Sequence, residues 1–95
     1  MKKIDETFKF IYKEMGIEIS PFLQSVIANP QKIQTFRNTD LEKIVREFAP
    51  ICKKYNHILD GPIELRPVNT LKLYLLCRLS NKPHLQKMFE LLTEN

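Results

Sequence analysis

Two cysteines and two histidines have the widest chemical reach in this sequence, and together they are the smallest set able to hold a tetrahedral zinc ion. Their spacings, Cys52-x4-His57 and Cys77-x6-His84, speak against that chemistry. Residues five apart on a helix point about 140° away from each other, and Pro83 interrupts the second pair. The close Cys-x2-Cys pattern of persuasive zinc sites does not occur. Hydrolytic chemistry needs a nucleophile, a base and an orienting group, and neither a nucleophile elbow nor a metalloprotease helix is present. The only glycines, Gly16 and Gly61, stand too far apart to build a loop that presents amides to a phosphate, which excludes P-loop and Rossmann nucleotide binding. No metal and no cofactor is expected. Cys52 and Cys77 read as reduced thiols in helical core positions.

The cations offer more. From Leu65 to Phe89 the chain carries Arg66, Lys72, Arg78, Lys82 and Lys87, together with His84, and no acidic residue. A one-sided stretch of this kind favours acidic partners or anionic surfaces. With Gln86 added, these residues form the candidate contact set: Arg66, Lys72, Arg78, Lys82, His84, Gln86 and Lys87. In a helix-turn-helix the final helix would lie in the major groove, with Lys82, His84, Gln86 and Lys87 near its exposed start. Gln86 would then read base edges while the lysines neutralise phosphates. The small residue and glycine usual in such a turn are not found from Leu79 to Lys82, and a solvated basic face is the simpler account.

Two short patterns resemble known families. Arg78-x5-His84 resembles the arginine and histidine element of HEPN ribonucleases, small helical proteins that cut RNA at a dimer interface, and implies RNA cleavage by Arg78 and His84. Leu79 stands where that family usually places a polar residue. Along Leu59-Asp60-Gly61-Pro62 and Arg66-x-Val68-Asn69-x-Leu71 the chain is similar to the pediocin-like bacteriocin immunity proteins, small basic helical bundles with a comparable Arg-x-Val-Asn segment. That resemblance implies a cytosolic protector acting against a bacteriocin bound to its membrane receptor.

The elements that must position these residues are helical. Ile4, Phe8, Ile11, Tyr12 and Met15 recur at spacings of three and four, which predicts a helix from Ile4 to Met15 closed by Gly16. Ser20-Pro21 reads as an N-cap and first helical residue, with Phe22, Leu23, Val26 and Ile27 inward, and Asn29-Pro30 repeats the device through Phe36. Thr39-Asp40-Leu41-Glu42 fits a capping box. It opens a helix over 40–59 whose inward row is Leu41, Ile44, Val45, Phe48, Cys52, Tyr55 and Leu59, kinked or divided at Pro50. Asp60-Gly61-Pro62 ends it, a short extended connector reaches Arg66, and residues 68–80 form a central helix that is apolar on most faces. Ser80-Asn81-Lys82-Pro83 starts the last helix, with Leu85, Met88, Phe89 and Leu92 inward. Ile17-Glu18-Ile19 and Ile63-Glu64-Leu65 alternate like strands and define a minimal ribbon as a minor alternative.

The expectation is one all-α domain over 1–95, a compact bundle of five to six helices, several of them short. Its 43% hydrophobic residues suffice for one modest core. Met1-Lys2-Lys3 leads into Ile4-Asp5-Glu6-Thr7 rather than an apolar leader, and Leu71 to Leu79 contains Lys72 and Arg78. That run falls far short of the roughly 20 apolar residues of a membrane span. The chain is therefore expected to be a soluble, cytoplasmic, non-enzymatic binding protein with a protein partner, an immunity or regulatory factor being among the roles this covers. A nucleic-acid-binding regulator and a HEPN-like ribonuclease are the alternatives.

Overall fold

The computed structural model describes residues 2–56 and 60–94, without the side chains of Lys2 and Lys3. Five α-helices run in chain order: α1 (Lys2–Met15), α2 (Pro21–Ala28), α3 (Asn38–Lys54), α4 (Arg66–Leu79) and α5 (Pro83–Thr93). Short 3-10 helices at Pro30–Thr35 and Ile63–Leu65 lead into α3 and α4. Among the described residues there is no strand, and the fold is an all-α bundle. The expected ribbon does not form. Ile63–Leu65 is a 3-10 turn in which the Leu65 amide donates to the Pro62 carbonyl at 3.0 Å, so that segment has no free edge to pair.

The helix limits follow local chemistry. Gly16 takes a φ of +72°, a left-handed conformation that ends α1 where a side chain would be strained. Ser20 caps α2 as expected, its hydroxyl accepting from the Leu23 amide at 3.1 Å while donating to Glu47 Oε1 at 2.5 Å. The capping box at Thr39 does not form. α3 starts at Asn38 with Arg37 as its cap residue, so Thr39 already lies inside the first turn and no side chain caps the helix. The Asn38 amide oxygen instead accepts from Lys82 Nζ at 2.8 Å.

α3 runs undivided through Pro50 and ends at Lys54, not at 59, with Tyr55 extended. Pro50 denies a donor to the Arg46 carbonyl one turn earlier. Both residues are exposed, on the side of the helix where solvent can stand in for the missing donor. His57 and Leu59 lie outside the described residues. α4 begins two residues earlier than expected, with Pro67 in its first turn, where a missing amide hydrogen costs nothing. Ser80 closes α4 by donating to the Cys77 carbonyl at 2.8 Å, and α5 starts at Pro83 with Lys82 as its cap residue.

The buried side chains form one cluster, and each helix supplies a row of it: Ile11 from α1, Leu23, Val26 and Ile27 from α2, Leu41 to Cys52 from α3, Val68, Leu71, Leu75 and Leu79 from α4, Leu85 and Phe89 from α5. Burying a row of Leu, Ile or Phe side chains contributes about 1.5–3 kcal/mol for each, which is what holds helices this short together. α1 turns a slightly different face inward than its apolar pattern suggests. Tyr12 is exposed and Thr7 is buried, its hydroxyl donating to the Glu64 carbonyl at 2.6 Å and tying α1 to the turn before α4. Leu92 is likewise exposed on α5. α4 departs most from expectation. Its core row is continuous, but Leu73, Leu76 and Cys77 are exposed, so it is a wall of the bundle with an apolar outer face and not a helix enclosed on all sides.

Candidate functional site

The exposed positions of α4 fall on one line. Arg66, Thr70, Leu73, Cys77 and Ser80 are all exposed, at alternating spacings of four and three, and Leu76 stands beside them. This heptad spacing keeps a seam on one side of a helix. The middle of the seam is apolar and its ends are polar. Along one flank, Leu73, Tyr74, Cys77 and Arg78 join Gln34 of the Pro30–Thr35 segment to line a groove of about 480 Å³.

That groove is held open by a cation. Arg78, half-buried, donates from Nε to the Ile33 carbonyl at 3.2 Å and from Nη2 to the Phe36 carbonyl at 2.9 Å. The Ile33 carbonyl, near the end of the 3-10 helix, already accepts from the Phe36 amide at 3.2 Å, and the guanidinium fork adds a second donor there and one at the Phe36 carbonyl, fastening the segment to α4. Below it, Phe36 stacks on Phe22 with ring centroids 5.8 Å apart, and Lys43 Nζ lies 4.5 Å from the Phe22 centroid. The 3-10 segment is thereby pinned from two sides.

The other candidate contacts do not gather in one place. Arg66, Lys72 and Arg78 are six residues apart in turn, which rotates each about 240° from the last around α4 and sends them to three different sides. Arg66 borders a mixed-charge depression with Glu6 and Glu64. Lys72 Nζ donates to Asn56 Oδ1 at 3.1 Å, beside Glu90 and Glu94. Lys82 is bound to Asn38, and His84 lies exposed next to Asn38, Thr39 and Glu42. Gln86 and Lys87 are exposed on α5. Arg78 and His84 line separate depressions. In the segment similar to the immunity proteins, Val68, Asn69 and Leu71 are buried in α4, whereas Asp60, Gly61, Pro62 and Arg66 face solvent.

The two thiols differ from expectation and from each other. Cys52 is buried, and its desolvation, only partly opposed by the Lys72 charge, pushes its pKa from 9.0 up to about 12. Cys77 is an exposed free thiol on the α4 seam and not a core residue. The reason is its position in the turn: Leu75 and Leu79 occupy the inward positions on either side of it. Among the described residues no group of three or more His, Cys, Asp or Glu side chains converges as metal ligands. The Tyr55 pKa is raised by burial and then by the Glu14 charge, and its hydroxyl has no hydrogen-bond partner among the described residues.

Sequence reasoning missed the groove because one wall is remote in the chain. A signal for it does exist. None of the chain's 11 acidic residues falls within 19–39 or 65–89, the two stretches that supply the groove's walls, whereas Lys32, Arg37 and five cations of the second stretch do. Comparison with protein-family models, curated proteins and solved structures finds no match to this chain. No helix among the described residues is long and apolar enough to cross a membrane.

Proposed function

We propose that this chain is a small non-enzymatic binding protein that engages a protein partner through the outer face of α4. The observation that carries the reading is the exposed apolar seam at Leu73, Leu76 and Cys77, set beside a groove and not scattered singly over the surface. Protein interfaces centre on such apolar patches with a polar and cationic rim. The cations favour this reading over nucleic-acid binding: they diverge around α4, and Lys72, Arg78 and Lys82 are each engaged within the bundle. Phosphate neutralisation calls for cations converging along one track. The ribonuclease alternative gains nothing from Arg78, whose guanidinium serves backbone carbonyls. An immunity or regulatory role is one setting in which such a partner would be met.

The test is affinity capture of the tagged protein from its native cell, as wild type and as Leu73→Glu, analysed for both proteins and nucleic acid. The reading expects one or more proteins captured by the wild type and lost with Leu73→Glu. Recovery of nucleic acid alone, or a protein set indifferent to the substitution, overturns it.

A further inference from the structure

We infer that the occupant of this face is an acidic amphipathic helix, lying along α4 beside the Pro30–Thr35 segment. The inference rests on the preceding reading that the face binds protein, and adds the chemistry of what binds. Three observations carry it. The seam of Arg66, Thr70, Leu73, Cys77 and Ser80 has the alternating four and three spacing by which one helix receives the apolar row of another. The groove beside the middle of the seam is lined by Gln34, Leu73, Tyr74, Cys77 and Arg78, so its one charged lining residue is a cation, while Glu6 and Glu64 stand only at the Arg66 end. Arg78 spends two of its N–H donors on Ile33 and Phe36, and a guanidinium carries five. Arg78 itself lines the groove, which leaves its remaining donors to serve a carboxylate on the incoming helix.

The same charge argument disfavours a second copy of this chain. Two such grooves brought together would bring two Arg78 cations to one interface with no acid in either lining. A helix bearing leucines on one face and glutamates on its flanks meets both requirements, apolar in the centre and negative at the rim.

The experiment uses the full chain and three labelled probes read by fluorescence anisotropy. The first is a synthetic helix of about three heptads with leucines at the seam positions and flanking glutamates. The second has lysines in place of the glutamates, and the third is a DNA duplex. The expected result is saturable binding of the acidic helix, at least about 10-fold tighter than the basic one, and weakening as salt is raised. Leu73→Glu should weaken it by at least about 10-fold with an unchanged circular dichroism spectrum, and Tyr12→Glu, at an exposed residue of α1 outside the groove lining, should leave it unchanged. Equal binding of the acidic and basic helices that still requires Leu73 overturns the acidic partner and leaves the protein-binding face standing. Binding of the duplex in preference to either helix overturns both. Binding of no helix, or binding indifferent to Leu73→Glu, overturns the helical occupant. A dimer in sedimentation that dissociates with Leu73→Glu assigns the face to a second copy instead.

Discussion

Replacing Arg78 separates a structural cation from a functional one. In Arg78→Met the aliphatic stem is largely kept and the fork to Ile33 and Phe36, at 3.2 and 2.9 Å, is lost. A hydrogen bond to a charged group contributes about 1.5–3 kcal/mol in a dry setting. Arg78 is only half-buried and the Ile33 carbonyl keeps the Phe36 amide, so part of that is recovered, and about 1 kcal/mol for each bond is the appropriate figure. The expected loss is about 2 kcal/mol, which for a chain of this size lowers the Tm by roughly 8–16 °C. Urea unfolding followed by circular dichroism measures it. Arg78→Lys keeps the charge but not the planar fork, and should recover less than half of the loss. A variant within about 0.5 kcal/mol of wild type would refute the claim that Arg78 fastens the 3-10 segment to α4.

Three further outcomes follow from the same structure. Ser20→Ala removes a cap and a bond to Glu47 and should cost about 1–2 kcal/mol in urea unfolding, whereas Thr39→Ala, at the position where the sequence suggested a capping box, should stay within about 0.5 kcal/mol. Gly16→Ala has open space for the methyl group but must hold a φ of +72°, and should lose about 1 kcal/mol in the same assay. One thiol per native chain, Cys77, should react quickly with a disulfide reagent, with Cys52 reacting only on unfolding. Because the Cys52 pKa is raised on folding from 9.0 to about 12, its contribution is fully present below pH 9 and is lost as pH rises toward 12. The slope is at most about 1.4 kcal/mol per pH unit. Comparing the unfolding free energies of wild type and Cys52→Ala across that window should show the difference narrowing with pH, and a constant difference would contradict it.

The parts of the fold that were legible in the sequence are those governed by neighbours in the chain. Gly16 ends α1, Ser20-Pro21 opens α2, and proline stands in the first turn of α2, α4 and α5, because each acts on backbone groups within one helical turn. The misread positions depend on distant partners. Thr7 looks like a solvent residue until the Glu64 carbonyl, 57 positions away, is placed against it. Asn38 displaces Thr39 from the start of α3 while held by Lys82. α4 looked enclosed because Leu73, Leu76 and Cys77 are as apolar as its core row, and composition alone cannot say that a face lacks a neighbour. The candidate site suffered for the same reason. Counting cations from Leu65 to Phe89 grouped residues that the helical turn then sends to different sides, while the groove depends on the remote Pro30–Thr35 segment and on the Arg78 fork.

The most direct test of the α4 face is site-specific photo-cross-linking in the native cell, with a benzophenone side chain placed at Leu73 or, as a control, at Tyr12, both exposed. The account predicts a discrete protein adduct from position 73 and none from position 12. Adducts at both positions alike, or cross-links from position 73 to nucleic acid alone, would contradict it.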